Sequence, residues 1–381
     1  MKQRLPIILF LLVGMMEPFM AQITITNELF PHAGDTLFTA VDNLPSGIDP
    51  GVPGGGQVWN FTTLQAPFTR QSILFNPADG PGGSTYPSAT FYATIEGNTI
   101  GYFRTTKNSV SLLGFYGFDP LDLGIEVVSP LEPALIQQRA PMTYQGTYQA
   151  ESNLSLPFAT DDLPSGVLDG LPFTPDSLRM RIHLERSDAT DAWGTMTIPG
   201  GIYDVLREKR IETREIRVDA KIGPFPWVDI TDVIAQLLNM EDLFNQTETS
   251  YYFFSDESTE PIAVVTMDID NPNAVARVEF KANQTATQVQ RIERLEAGVY
   301  AYPNPAIVNV RFEFTNLPSG KYKLKILNIL GIEVWSKTYQ ISGNQTEKID
   351  ISSLKKGTYL YSLVDDRGKT IVTRRLVVVR P

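Results

Sequence analysis

The sequence predicts an all-β protein: a β-sandwich or open-barrel body with one packed helix, followed by a smaller immunoglobulin-like sandwich of seven strands. Short alternating or continuous apolar runs recur along nearly the whole chain, cut by 28 Gly and 27 Pro in 381 residues with no fixed period. Only one stretch, 228–244, carries the i, i+3, i+4 apolar spacing of a helix. The charge balance changes sign near residue 298: residues 22–297 hold 17 Lys+Arg against 36 Asp+Glu, whereas 298–381 hold 13 against 6. Such a reversal marks a domain boundary.

The chain opens with the basic "MKQR", the apolar "LPIILFLLVGMM" and the polar "EPFMAQ", the order of a secretory signal peptide over residues 1–21 with its cut between Ala21 and Gln22. Phe19 departs from the small residue usual three positions before such a cut. The apolar run is shorter than the roughly 20 residues a bilayer requires, and no later segment reaches that length. There is no cysteine, which excludes disulfides, thiolate metal ligands and a thiol nucleophile. The strongly acidic body excludes nucleic acid as a partner, since that binding depends on basic surface.

Residues 22–165 form a first β-rich region of the body. "ITITNELF", "TLFTAV", "QVWNFTTL", "RQSILF", "ATFYATI", "TIGYFRTT" and "SVSLLGFYGF" read as strands, with "NLPSGIDPGVPGGG" and "NPADGPGGSTYPS" as loops. Residues 166–290 form a second region with longer strands. In "DSLRMRIHLERS", Leu178, Met180, Ile182 and Leu184 alternate with Arg179, Arg181, His183 and Glu185, which puts the first set in a core and the second in water. "IYDVLREKRIETREIRVDAKI" interleaves Arg, Lys and Glu, the pattern of cross-strand ion pairs on a solvated sheet face. In the helix, Val233, Leu237, Met240 and Phe244, flanked by Ile234 and Leu238, give the buried stripe, and Asp229 or Thr231 can cap its start. The string [Asp/Asn]-Leu-Pro-Ser-Gly occurs at 43–47, 162–166 and 316–320, at unequal intervals, and reads as reused turn chemistry.

After a linker at 291–297, residues 298–381 show seven short, regular runs from "VYAYPNP" to "KTIVTRRLVVV". "KYKLKIL" turns Tyr322, Leu324 and Ile326 inward and three lysines outward, and "NILG" and "DDRG" sit where chain reversals are needed. The order and spacing of "YPNPA", "LNILGIEV", "IDISSLKKGTYLYSL" and the terminal "RRLVVV" resemble the type A C-terminal sorting domain of the bacterial type IX secretion system. The matching residues are Tyr302, Pro303, Asn304, Pro305, Asn328, Gly331, Asp350, Leu354, Gly357 and Tyr359. The resemblance implies a route: the folded cargo crosses the outer membrane through the type IX machinery, the sorting domain is removed in the linker region, and the cargo is released or linked to surface lipopolysaccharide. The expected location is the outer cell surface or the medium.

The body resembles no family of known activity. It holds no Gly-x-Ser-x-Gly elbow, His-Glu-x-x-His helix, P-loop or Gly-x-Gly-x-x-Gly, and "GGGQVW" reads as a flexible turn before a strand. Its two histidines, His32 in a loop and His183 on a charged strand face, offer little for a catalytic pair. "MDIDNPNAV", with Asp268, Asp270, Asn271 and Asn273, and the stretch with Asp161, Asp162 and Asp169 read as polar turns rather than calcium loops. Trp59, Trp193 and Trp227 can fill cores or stack on sugars, the core reading being favoured for the last two. "DTL" at 35–37 and "DSL" at 176–178 resemble a bacterial O-glycosylation pattern. The sequence therefore assigns no catalytic, cofactor-binding or metal residue and no cofactor. It favours a non-enzymatic binding or structural body, against the alternative of a glycan hydrolase working through paired carboxylates.

Overall fold

A computed structural model describes residues 22–42, 45–66, 68–96, 99–117, 128–160, 171–238, 244–269, 271–282, 298–302, 306, 309–328, 331–355 and 357–378. The expected signal peptide and its cut after Ala21, and the linker 291–297, lie outside the described residues.

Among these residues the body comprises β1 (Thr36–Asp42), β2 (Gly54–Asn60), β3 (Phe68–Ile73), β4 (Phe91–Glu96), β5 (Thr99–Thr105), β6 (Ser109–Tyr116), β7 (Val128–Arg139), β8 (Thr147–Ala159), β9 (Ser177–Ile198), β10 (Gly201–Lys221), β11 (Val228–Asp229), the helix α1 (Thr231–Leu238), β12 (Asn245–Phe254), β13 (Ala263–Met267) and β14 (Val275–Lys281). The strands join one sheet in the order β3-β1-β14-β13-β12-β10-β9-β8-β7-β6-β5-β4, with β11 on β10 and β2 parallel to β9. Phe75, just past β3, bridges to Tyr92 in β4, so the two ends of the path meet. The all-β class holds, the body being a large, nearly closed sheet. β8 pairs with β9 from Thr147↔Ala189 to Ala159↔Ser177, and β1 pairs with β14, so regions 22–165 and 166–290 share this sheet.

Two N-terminal expectations need correction. "ITITNELF" is not a strand: Ile25 makes one bridge to Met142, and a 3-10 turn, Asn27–Leu29, follows with Thr26 Oγ1 accepting from Glu28 N. The glycines of "GGGQVW" are not a free turn but the start of β2. β2 lies so close on β9 that a Cβ on Gly194 would come within 1.9 Å of the Gln57 carbonyl oxygen, and one on Gly55 within 2.6 Å of the Trp193 ring. Close backbone approach, not flexibility, calls for glycine at both positions.

The β9–β10 hairpin is the spine of the body. Its strands run 22 and 21 residues, about four times the usual length. Register explains how such a ribbon is buried. Glu208 lies opposite Thr190 and Arg207 opposite Ala192, leaving Asp191 as an extra residue on β9. Neighbours along a strand point to opposite faces and directly paired residues to the same face. This bulge therefore moves the even-numbered side chains of β9 from one face to the other. Before it, Met180 and Ile182 pack with Leu112, Leu131, Leu135, Leu154 and Leu156 of β6, β7 and β8. After it, Ala192, Met196 and Ile198 pack with Trp59, Phe61, Val205, Phe253, Val265 and Phe280 on the other side. The alternation expected for 178–184 is present, with Leu184 only half-buried.

Charged residues sit where the two cores exchange faces, which corrects the reading of β10 as a solvated ladder. Arg207 and Glu208 are 0% and 2% exposed, and Arg210 and Arg186 are buried too. Arg207 holds both oxygens of Asp191 at 2.8 and 2.9 Å and donates to the carbonyls of Pro50 and Gly51, while Trp59 Nε1 donates to Pro50 O at 2.8 Å. On the other face Arg210 reaches Asp188 at 2.8 Å and Glu208 at 2.9 Å and covers the Tyr252 ring, and Arg186 pairs with Glu212. Arg186 and Arg210 also donate to the carbonyls of Ile136 and Gln137 on β7, at 2.8 and 3.0 Å. Gln137 is the residue that β7 skips in its pairing with β6, since Gln138 lies opposite Val110 and Ile136 opposite Ser111. A second bulge thus supplies an acceptor for a buried guanidinium.

The helix forms where expected, but Val233 is not in its buried stripe and stays 38% exposed. α1 docks through Ile230, Ile234 and Ala235, with Ile230 and Ile234 packed against Leu178, Val218 and Ala220, and Val233 lies about 100° round from Ile234. Phe244 joins this cluster; the side chains of Leu237 and Leu238, and Met240, lie outside the described residues. Asp229 Oδ1 accepts from Thr231 N at 2.9 Å and caps the helix, as expected.

The C-terminal module has β15 (Gly298–Tyr302), β16 (Asn309–Asn328), β17 (Glu333–Asp350), β18 (Gly357–Asp365) and β19 (Thr370–Val378). They are five strands rather than the seven expected, because two pairs of runs are continuous. β16 keeps its pairing with β17 through "NLPSG": its partners step from Phe314↔Gln345 through Leu317↔Gly343 to Gly320↔Ile341. This copy of the turn string is a bend inside a strand, and β17 bends with it at Gly343, where φ is +76°. The core comprises residues 299–378 alone, with Val310, Phe312, Phe314, Leu324, Ile326, Leu363 and Leu376 all at 0% exposure. Among the described residues, no strand of this sheet pairs with the body.

Two outcomes follow from the buried charges. Burial pushes the Glu208 carboxyl up to about 7, against the pull of Arg210, with Asp188 adding to the rise. A folded-state value above the unfolded one stabilises at low pH, and that contribution is lost as pH climbs from about 4.5 through 7. The stability of Glu208→Gln relative to the parent chain should therefore rise by about 1–3 kcal/mol between pH 5 and pH 8 in urea unfolding. Arg207→Met, which strands Asp191 and frees the Pro50 loop, should cost about 3 kcal/mol in the same measurement.

Candidate functional site

The sorting-motif residues are architectural, and the pairing gathers them at one end of the C-terminal module. Asn328, at the end of β16, lies opposite Tyr359, which lies opposite Leu376. Gly357 lies opposite Val378, and Val378 bridges to the buried Ala306. Asp350 lies opposite Asn309, and the backbone of Tyr302 pairs with Arg311. Pro303, Asn304 and Pro305 lie outside the described residues. Each described side chain has a local task. Asn328 Oδ1 accepts from Ile332 N at 3.0 Å and closes the turn in which Gly331 takes φ +79°. Asp350 Oδ1 accepts from Ser352 N at 2.6 Å, Leu354 fills the core, and Tyr359 donates its hydroxyl to Lys355 O at 2.6 Å. The motif thus reads as turn and core chemistry that fixes one end of a sandwich.

The body carries a groove of about 610 Å3 across the outer face of β8, β9 and β10, below the bulge, with β7 and β11 at its sides. It opens where β7 and β8 part, for only Leu131↔Leu154 and Glu132↔Asn153 join those strands. Register sets two rows across the face: Asn153, His183 and Glu215, then Ser155, Arg181 and Arg217. Arg181 and Arg217 face each other as like charges, an arrangement that requires anions. Asp219, 3% exposed at its side chain, supplies one by taking Arg181 through Nε and Nη2 at 2.7 and 2.8 Å and Arg179 through Nε at 2.8 Å. Asp229 stands 3.4 Å from Arg181, and Glu215 accepts from Arg217 Nε at 2.7 Å.

These contacts set the protonation of the groove. The hydrogen bonds from Arg181, with those from Arg179, hold Asp219 below the usual carboxylate range despite its burial. For Asp229 burial is outweighed by hydrogen bonds from Thr231 and the charge of Arg217, and its carboxyl is also depressed. His183 is held by Asn153 Oδ1 at 2.9 Å and Glu185 at 3.3 Å, on the charged face where the alternation placed it.

The remaining candidates are structural. His32 donates its backbone N–H to Asp35 Oδ2 at 2.7 Å, and Asp176 Oδ2 accepts from Gly223 N at 2.6 Å. Asp268 accepts from Asn271 N at 3.1 Å in a closed turn, while Asp270 and the stretch 161–170 lie outside the described residues. Among the described residues no group of three His, Asp or Glu is arranged to hold a metal, and no helix is long and apolar enough to cross a membrane. Trp59 is core, whereas Trp193 is half-buried and Trp227 lies half-buried under the Arg179 guanidinium at 4.7 Å. Sequence reasoning missed the groove because it spans five strands whose register is not local; the odd-numbered polar residues of β9 were its only trace.

The family described as "Secretion system C-terminal sorting domain" matches residues 300–379. No curated protein matches the chain. Among solved structures, dimeric latent PorU from Porphyromonas gingivalis is similar at 12% identity and a TM-score of 0.22, over 92% of this chain and 34% of that one. PorZ from the same organism, described as an essential bacterial surface component of the type-IX secretion system, is similar at 11% identity and a TM-score of 0.18, over 77% of this chain and 50% of that one. The chain thus spans a third to a half of their lengths.

A core confined to 299–378 has a measurable consequence. Phe312 is fully buried, edge-on to Tyr361 at 5.1 Å. Phe312→Ala should destabilise the module by about 3–5 kcal/mol. Hydrogen exchange should then quicken in 298–378 while the β9–β10 hairpin keeps its protection. Residues 300–379 are a type IX secretion C-terminal sorting domain, and the chain that bears them is exported to the cell surface or beyond it.

Proposed function

We propose that the body, residues 22–290, is a non-enzymatic binding or structural cargo that the tail delivers through the type IX machinery. The observation that carries this reading is the pairing of Asp219, Asp229 and Glu215 with the arginines at the groove. Asp219 and Asp229 are paired with arginine or hydrogen-bonded and held below the usual range, the opposite of what a general acid requires. Among the described residues, the carboxyl pushed upward, Glu208, lies under the hairpin at 2% exposure with Arg210 clamped on it. A glycoside hydrolase needs a protonated carboxyl and a second carboxylate flanking an open cleft, and these residues are poorly disposed for that work.

The rest of the reading concerns delivery. Residues 1–21 act as the signal peptide, 22–165 and 166–290 as the two parts of the cargo, and 291–297 as the linker at which an immunoglobulin-like tail is removed. Surface lipopolysaccharide is the partner of the cargo if it is retained after removal. A tail with its own core can be detached without opening a sheet of the body, which suits that role.

Removing residues 298–381 should leave the chain in the periplasm, and mass spectrometry of the exported full-length product should find no peptides beyond about residue 300. Undiminished export of the truncated chain would refute the routing.

A further inference from the structure

The groove on the outer face of β8–β10 has a chemistry that selects a ligand class. We propose that it binds a neutral carbohydrate chain. The proposal rests on the reading of the body as a binding module and deepens it. The volume, about 610 Å3, is that of a small-ligand site. Its two rows of side chains, on strands about 4.8 Å apart, offer donors and acceptors side by side: Asn153, His183 and Glu215 in one, Ser155, Arg181 and Arg217 in the other. Sugar hydroxyls donate and accept at once, so they bridge such neighbours, while an apolar C–H face can rest on Pro130.

The charge of the groove arginines is matched locally. Arg181 is satisfied by Asp219 and Asp229, and Arg217 by Glu215. An anionic ligand would have to break one of these pairs, and it would also approach a body with 36 acidic against 17 basic residues over 22–297. A neutral polyol meets the same groups without displacing them. The donors are also fixed in advance. Two bonds to Asp219 hold the Arg181 guanidinium, whose Nη1 makes no hydrogen bond among the described residues, and Asn153 holds the His183 ring. Groups already held in place lose little freedom when a ligand arrives.

The test is calorimetric titration of the full chain with cellohexaose, maltohexaose and mannohexaose, and with hexagalacturonate as the acidic counterpart. Arg217→Ala and Asn153→Ala alter exposed side chains, and the thermal unfolding of each variant is measured alongside. Binding of at least one neutral probe, weakened roughly tenfold or more by each variant with unchanged unfolding, is the expected result. Three outcomes overturn the proposal: no neutral probe bound at millimolar concentration, equal affinity in parent and variants, or tighter binding of hexagalacturonate. Mass spectrometry of the recovered probe separates this inference from the reading beneath it. A shortened oligosaccharide would support the ligand class while refuting a non-enzymatic body. Absence of binding would sink the ligand class and leave the body free to bind something else.

Discussion

At Asp191 the long hairpin takes in one residue more on β9 than on β10, and that insertion decides which face of the sheet is core in each half of the body. Below it the buried face meets β6, β7 and β8; above it the buried face meets β1, β2, β13 and β14. Neither covering layer can be placed without the exchange. The groove exists for the same reason. The face that is solvent below the bulge becomes core above it, so a layer of protein begins part-way along the sheet and leaves the lower face open.

An exchange of this kind leaves backbone and side chains short of partners, and the buried arginines answer that. Arg207 ties the extra residue to the carbonyls of the loop before β2, and Arg186 and Arg210 tie the hairpin to β7 across the core. Buried ion pairs add little net stability over apolar packing, because desolvation offsets much of their attraction. Their contribution here is to register: a guanidinium with several partners on three segments fits one alignment of those segments and no other. The sorting module meets a similar need with bends instead of charges, its two longest strands each turning a corner so that five strands enclose one apolar centre.

Much of this was legible in the sequence, and what was not has identifiable causes. Most strand positions, the helix and the resemblance of the tail to a sorting domain rest on local patterns, and the structure and the family match agree with them. The buried charges of β10 were misread because "REKRIETRE" looks alike on a solvated face and in a satisfied network; the difference lies in the residues opposite, which no local window contains. The even-numbered burial of β9 looks like one alternation although it is two, joined at a bulge that leaves no mark in the apolar pattern. Val233 fell off its stripe because the helix docks through Ile230 and Ile234. "GGG" was read as a flexible turn, yet it lies flat on a neighbouring strand, and the "NLPSG" of the tail, read as turn chemistry, bends β16 without ending its pairing with β17.

The near-closure of the body sheet also bears on how the chain acquires it. β1 pairs with β3 on one edge but on the other finds its partner in β14, and Arg70 on β3 reaches Glu279, 209 positions away. Contacts of such long range form late, since the entropy of closing the intervening loop must be overcome first. A polypeptide emerging from its N-terminus therefore presents one edge of β1 unpaired until residue 281 has appeared. Maturation of the body is thereby delayed until almost all of it has been synthesised, an interval in which the waiting edge of β1 is open to pairing with other chains.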